Sequence, residues 1–284
     1  MKKITRRNFM IASGLTAGFA LAAQPISAQA IATDTTDLTV GVVNIPVVDG
    51  EIPAYRAMPA AAENSAMQLP TILVVQEIFG VHAYIQDVCR RFAKLGYLAI
   101  APDMYARYGD PTQLSSIDEI RQIVRQVPDA EVMADLDATV AWAIESSNGD
   151  PDQLGITGFC WGGRVVWLYA AHNPNLKAGV AWYGRLVGES SPRTPTHPLE
   201  VVTELNAPIL GLYGENDRLI PLETVAKMRE AIAESAEPAS QCQIIVYPDA
   251  PHGFHADYRD SYQPVAARDG WQRAQDWFKQ NGVG

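Results

Sequence analysis

Apolar and polar residues alternate over two segments near the start of the chain, which is the pattern of strands with one buried face. Residues 38–48 and 51–58 form these segments, and Asp49-Gly50 lies between them. This dipeptide is typical of tight hairpin turns. The sequence therefore predicts an antiparallel hairpin that turns at Asp49-Gly50.

Beyond residue 69 the pattern changes to short apolar runs that alternate with segments of helical periodicity. The apolar runs predict strands at 70–76, 97–101, 154–157, 178–183, 208–213 and 243–247. The helical segments are 83–95, 117–126, 130–146, 163–171, 222–235 and 264–280. Unbroken apolar strands that alternate with helices predict a mostly parallel sheet with helices on both faces. We expect a single α/β domain over residues 38–284. The proline-rich stretch 184–198 predicts a loop, either at the rim of a site or on the plain surface.

The first thirty residues have the pattern of an export signal. Thr5-Arg6-Arg7-Asn8-Phe9-Met10 matches the twin-arginine motif, an uncharged stretch follows, and Ala28-Gln29-Ala30 has small residues where signal peptidase needs them. We interpret residues 1–30 as a twin-arginine signal peptide, which places the protein in the periplasm. An uncleaved anchor is the alternative, although the apolar stretch is short. Residues 31–37 are expected to be a disordered lead-in.

The net charge of the chain limits the classes of molecule that it is expected to bind. The net charge of −10 becomes −14 without residues 1–30, which carry four basic residues and no acid. So acidic a protein is a poor candidate for binding nucleic acid or anionic membranes. The remaining 254 residues are enough for one domain with a large core. We expect a monomer that stays off the membrane once the signal is removed.

Three cysteines in an exported chain of this size do not make a disulfide scaffold. Cys89 falls in a predicted helix and Cys242 at the start of a predicted strand, so both are interpreted as fillers of the core or its edge. A bridge between them is the alternative in an oxidising compartment. Cys160 is left as a free thiol.

Residues 158–162 read Gly-Phe-Cys-Trp-Gly between a predicted strand and a predicted helix. A sharp strand-to-helix turn exposes its central side chain, and flanking glycines make the strained turn possible. The pattern is that of a nucleophile elbow with Cys160 in the usual position of serine. The helix dipole would favour the thiolate there. Taken alone, the pentapeptide also fits a buried structural cysteine.

Reactive residues in open α/β sheets gather at the carboxyl ends of the strands. Cys160, Asp217 and His252 each follow a predicted strand, and nucleophile, acid, histidine is the chain order of α/β-hydrolases. We predict that His252 takes the Cys160 proton and that Asp217 orients His252. Glu215 is the rival for the acid.

Two further features of the predicted site come from main-chain and neighbouring groups. The backbone N–H groups of Ile78 and Trp161 are expected to form the oxyanion hole. His252, His255 and Asp257 lie close together in sequence, but this loop offers too few convergent ligands for a metal ion. We predict neither a metal nor a cofactor.

Over about residues 38–280, the chain resembles the dienelactone hydrolase (carboxymethylenebutenolidase) family of α/β-hydrolases. The motifs that carry the resemblance are Gln76-Glu77-Ile78-Phe79-Gly80, Ala101-Pro102-Asp103-Met104-Tyr105-Ala106-Arg107, Gly158-Phe159-Cys160-Trp161-Gly162-Gly163, Tyr213-Gly214-Glu215-Asn216-Asp217 and His252-Gly253-Phe254. The resemblance implies the α/β-hydrolase fold, ester or lactone hydrolysis and a triad of Cys160, Asp217 and His252. It also implies that Glu77 hydrogen-bonds the resting thiol and helps to activate it when substrate arrives.

The resemblance further implies that Arg107 binds a substrate carboxylate, with Tyr105 and Phe79 in the substrate site. A bidentate guanidinium suits that task, and a surface charge is the alternative. The family's best-studied members carry a second such arginine four residues after the histidine. Here that position is Ala256, with Arg259 nearby but out of register. This departure favours the same chemistry on a different acid or on a neutral ester.

A thiolate restricts the substrates, because a thiol of reference pKa about 8.5 leaves more readily than ordinary alkoxides and amines. Enol esters, enol lactones and aryl esters are therefore expected to react, through a thioester that water activated by His252 cleaves. The alternatives are a broader esterase or lactonase, a ligand-binding relative without catalysis, and a redox thiol protein, for which the chain lacks a C-x-x-C motif.

Overall fold

One sheet of eight strands organises the chain. The strands are β1 (Leu38–Val47), β2 (Gly50–Pro59), β3 (Leu69–Val75), β4 (Leu98–Pro102), β5 (Gly149–Phe159), β6 (Ala178–Trp182), β7 (Ile209–Gly214) and β8 (Gln243–Tyr247). Their order is β1-β2-β4-β3-β5-β6-β7-β8. The pairs β1–β2 and β2–β4 are antiparallel and the other five pairs are parallel. This computed structural model, which describes residues 30–284, confirms the predicted α/β-hydrolase fold.

Helices cover both faces of the sheet. They are α1 (Ala83–Lys94), α2 (Ile117–Val124), α3 (Asp129–Ser146), α4 (Trp161–His172), α5 (Pro198–Val201), α6 (Leu222–Glu234) and α7 (Pro264–Gln280). In β5, Gly155 faces Phe278 of α7, whereas Gly158, three residues on, faces Val166 of α4. Because successive strand residues point to opposite faces, α4 and α7 lie on opposite sides of the sheet.

The boundaries differ from the predictions where glycine and proline interrupt the hydrophobic pattern. Val47 pairs with Gly50, so the hairpin turn consists of Val48 and Asp49, one residue earlier than predicted. Gly50 instead starts β2 with φ of +146°. Strand β5 begins at Gly149, five residues early, because the polar segment 150–153 hides its first half.

The segment 31–37, expected to be disordered, is irregular but makes hydrogen bonds with α1. Thr33 N donates to Asp87 Oδ1 at 2.6 Å, and Arg90 Nε donates to Thr33 O at 3.0 Å. Lys94 Nζ donates to Thr36 O at 2.6 Å. Polar groups of α1 fix this backbone, so the hydrophobic pattern gave no sign of it.

The three cysteines are free thiols, so Cys89 and Cys242 are not bridged. Cys242 Sγ accepts a hydrogen bond from Ile209 N at 3.1 Å. Within residues 30–284, no helix combines the length and apolarity needed to cross a membrane. The predicted signal peptide falls on residues outside this range, apart from Ala30.

Close backbone contacts join the end of β3 to the start of α4. A Cβ added at Gly162 would lie 2.6 Å from the carbonyl oxygen of Gln76 and would also overlap Val75. Backbone atoms cannot yield as a flexible side chain can. The sheet edge and the turn before α4 therefore require glycine at this position.

We expect Gly162→Ala to lower the free energy of unfolding by about 2–3 kcal/mol, because the new methyl group overpacks rigid backbone. Urea unfolding followed by circular dichroism measures the change. Gly41→Ala is the matched control, since a Cβ at Gly41 meets nothing within 4 Å. Equal stability of the two variants would contradict this account of the turn.

Candidate active site

Cys160 occupies the strained turn between β5 and α4. Its backbone has φ of +56° and ψ of −110°, a conformation that costs a side-chain-bearing residue free energy and concentrates at functional sites. Cys160 N donates to Trp182 O at 3.0 Å, and Arg164 N donates to Cys160 O at 3.3 Å. These bonds hold the residue between β6 and the first turn of α4. The thiol is half-buried.

His252 and Asp217 form a hydrogen-bonded pair after β8 and β7. His252 Nδ1 and Asp217 Oδ2 are 2.7 Å apart, and the Asp217 side chain is fully buried. Asp217 Oδ1 accepts from the backbone N–H groups of Leu219 and Ile220 at 2.8 and 3.2 Å. The carboxylate is thus fixed from both sides and holds one tautomer of the imidazole, leaving Nε2 for another partner.

The other nitrogen of His252 lies close to Cys160. Burial by itself lowers the pKa of His252, but the Cys160 sulfur and then the Asp217 carboxylate raise it, to about 10. Nε2 is buried and makes no hydrogen bond to any group in residues 30–284. The structure therefore brings the three predicted residues together.

The rival groups point elsewhere. Glu215 is exposed, and its Oε2 accepts from Asp249 N at 3.1 Å. His255 is buried with Nδ1 2.5 Å from the Tyr84 hydroxyl, and burial holds the pKa of His255 well below its usual value. Asp257 binds Arg91. His252, His255 and Asp257 therefore do not converge on a common point.

Glu77 follows β3 and is fully buried, but its hydrogen bonds go to partners other than the expected thiol. Oε1 accepts from Arg259 Nη2 at 2.9 Å, and Oε2 accepts from the Tyr258 hydroxyl at 2.6 Å. His82 Nε2 is 3.5 Å from Oε2. Burial raises the pKa of Glu77, yet Arg259, His82 and Tyr258 together lower it to about 2. The carboxylate is ionised and paired, which corrects the expected bond to Cys160.

Arg107 is also committed to other partners. Its guanidinium binds Asp49 and Asp135, each at 2.7 Å, and Glu131 at 3.5 Å. These carboxylates belong to the hairpin turn and to α3, and they raise the pKa of Arg107 further above its usual value. In this structure Arg107 ties the hairpin to α3, so the expected role in binding a substrate carboxylate is not supported by its contacts.

The other two expected substrate residues lie near the site. The Tyr105 ring is buried, with its centroid 5.2 Å from that of Trp161. Arg259 lies over the Phe79 ring, 4.9 Å from its centroid. Phe79 therefore contacts the cation that pairs with Glu77.

The two expected oxyanion donors lie on adjacent elements. Val75, two residues before Glu77, pairs with Gly158, so the loop after β3 leaves the sheet beside the Cys160 turn. Trp161 is the first residue of α4, where backbone N–H groups lack helical partners. Ile78 is in the loop that follows β3.

Sequence reasoning gave no role to Gln76 or Tyr183, whereas Tyr105 was expected in the substrate site. The Gln76 side-chain amide and the hydroxyls of Tyr105 and Tyr183 are buried without a hydrogen-bond partner in the described part of the chain. The Tyr183 ring is 5.1 Å from that of His252. Unpaired buried polar groups are costly, so they mark where a ligand's polar atoms would fit. The sequence could have indicated Gln76 and Tyr183, because each is a polar residue at the carboxyl end of a predicted strand.

Comparison with known proteins identifies the family to which the chain belongs. The model of the dienelactone hydrolase family matches residues 52–282. A "Putative carboxymethylenebutenolidase" of Methylorubrum extorquens is 57% identical over 279 residues, covering 98% of this chain and 94% of the relative. A Bradyrhizobium protein named "Probable 2-oxo-3-(5-oxofuran-2-ylidene)propanoate lactonase" is 33% identical over 219 residues, covering 77% and 85%.

A crystal structure gives the same result. It is that of a "Putative Dienelactone Hydrolase" from Klebsiella pneumoniae, which is 52% identical and superposes with a TM-score of 0.80. The match covers 86% of this chain and 99% of that one. The chain therefore belongs to the dienelactone hydrolase family and is a hydrolase of ester or lactone bonds.

Proposed function

We propose that Cys160 is the nucleophile of this hydrolase and that activated esters and lactones are cleaved through a thioester on its sulfur. The observation that carries the proposal is the placement of Cys160 in a strained turn, beside an imidazole that is fixed by Asp217 at 2.7 Å. Strain of this kind persists only where surrounding contacts enforce it. A structural cysteine would need neither the strain nor the histidine.

In the acylation step, the thiolate forms a bond with the substrate carbonyl carbon while His252 holds the proton. The backbone N–H groups of Ile78 and Trp161 receive the developing oxyanion. When the intermediate collapses, the ester C–O bond breaks and His252 gives its proton to the departing oxygen. Asp217 stabilises the imidazolium throughout.

In the deacylation step, water attacks the thioester and His252 accepts a proton from it. The C–S bond then breaks, which releases the carboxylic acid and regenerates the Cys160–His252 pair. Sulfur carries no charge in the thioester, so the largest influence that raises the pKa of His252 is absent at this stage. The same imidazole can therefore act first as an acid and then as a base.

The leaving group sets the substrate class. A thiolate departs more readily than an ordinary alkoxide, so only esters with acidic leaving groups, such as enol and aryl esters, proceed to the thioester. The Bradyrhizobium relative is named as a lactonase of an oxofuranylidene propanoate, which supports including enol lactones among the substrates. Because Arg107 is bound to three carboxylates, we propose that neutral esters are accepted as well.

We expect Cys160→Ala to lower kcat/KM for an aryl acetate at least about a thousandfold, since no other group replaces the nucleophile. Release of the phenol, followed by absorbance, measures this. Cys242→Ser is the matched control: its thiol accepts a backbone hydrogen bond that a hydroxyl can retain, so activity should stay within about twofold. Undiminished turnover by Cys160→Ala would end the proposal.

The protonation of His252 should depend on the charge at Cys160. We expect a pKa of about 10 in the free protein. It should be clearly lower after alkylation of Cys160 by iodoacetamide, because a thioether has no charge to favour the imidazolium. An NMR titration of the His252 ring, identified with a His252→Gln variant, measures both values. Identical pKa values before and after alkylation would contradict the coupling.

A further inference from the structure

A buried carboxylate outside the triad has one oxygen that no side chain of the described residues binds. The Asp257 side chain is only 1% exposed, and its Oδ2 accepts from Arg91 Nη2 at 2.5 Å. Oδ1 is buried, and no side chain of residues 30–284 donates a hydrogen bond to it. Leaving a buried charged oxygen unpaired is costly, which indicates that a donor or a cation belongs there.

The N-terminal segment runs directly past this carboxylate. Thr33 N donates to Asp87 Oδ1 at 2.6 Å, and Asp87 Oδ2 accepts from Arg91 Nε at 2.6 Å. Arg91 therefore bridges Asp87 and Asp257. Burial raises the pKa of the Asp257 carboxyl, and Arg91 offsets part of this rise. The backbone N–H of Ile31, two residues before Thr33, also lies within reach of the carboxyl and lowers its pKa by a smaller amount.

Ile31 is the residue that follows the predicted cleavage motif Ala28-Gln29-Ala30. Hydrolysis of the Ala30–Ile31 peptide bond consumes one water, leaves a carboxylate on Ala30 and turns the Ile31 amide nitrogen into an α-ammonium group. We propose that Asp257 is the binding site for this new α-ammonium group of the mature chain. The inference rests on the predicted cleavage, and it is independent of the nucleophile proposed above.

The two arginines near this position are shared unequally between the two carboxylates. Asp87 forms ion pairs with both Arg90 and Arg91, whereas Asp257 forms one with Arg91 alone. The other titratable neighbours are neutral, since Tyr84 has its pKa raised and His255 has its pKa lowered. An ammonium supplies three donors and a full charge where the amide supplies one N–H.

Asp257 lies in the segment that follows His252. Asp257 directly precedes Tyr258 and Arg259, which hold the buried Glu77. A salt bridge from Ile31 to Asp257 would therefore fix this part of the loop only in the processed protein. Removal of the signal peptide would then stabilise the segment around Asp257.

The experiment compares two forms of the mature chain, one starting at Ile31 and one with a single glycine before Ile31. The extension keeps the charge but moves the ammonium away from Asp257. We expect the Ile31 form to melt about 4 °C higher at pH 7. The gain should be present below the reference pKa of an α-amino group, about 8, and lost as pH rises through the higher pKa of the paired ammonium. At pH 10.5 the two forms should melt together.

Two substitutions and one mass measurement complete the test. Asp257→Asn should abolish the difference between the two forms, whereas Asp34→Asn, which alters an exposed carboxylate of the same segment, should preserve it. Protein exported by cells that express the whole chain should begin at Ile31 by mass spectrometry. A different first residue, equal melting temperatures at pH 7, or a difference that persists in Asp257→Asn would each overturn the proposal.

Discussion

The strained turn at Cys160 is the constraint on which the site depends. The residue holds a positive φ because glycines on both sides let β3, β6 and α4 approach within backbone contact. The packing of the sheet supplies the free energy that the turn costs, so the position of the sulfur is set by the fold and needs no flexible loop. His252 follows β8 and lies beside the sulfur. Asp217 follows the neighbouring strand β7, and its hydrogen bond to His252 fixes the imidazole.

Charge pairing explains the rest of the site. Glu77 is ionised although fully buried, because Arg259 and Tyr258 bind its two oxygens. Arg107 is held in the same way by carboxylates from the hairpin and α3. Both arginines are thereby partners of the protein's own carboxylates. The hydroxyls of Tyr105 and Tyr183 and the amide of Gln76 are among the buried polar groups that lack a hydrogen-bond partner in residues 30–284.

Much of this could be predicted from sequence, and the limits have physical causes. Strand and helix alternation is a local signal, and it placed Cys160, Asp217 and His252 at strand ends in the order of the α/β-hydrolases. The partner of a buried charge is not a local property. Glu77 and Arg259 are 182 residues apart in sequence, so the sequence did not predict that they pair. The carboxylate partners of Arg107 were not predicted either, for the same reason. The contacts of residues 31–37 were missed because backbone hydrogen bonds leave no hydrophobic pattern.

The most direct test of the account is to trap the acyl group. An aryl ester is mixed with the enzyme, the reaction is stopped with acid within the first turnover, and the digested peptides are analysed by mass spectrometry. The account predicts the acyl mass on the peptide that contains Cys160, with loss of the label on treatment with neutral hydroxylamine, which cleaves thioesters. Acylation of a serine or another residue, or hydrolysis with no acylated peptide at any time, would contradict it.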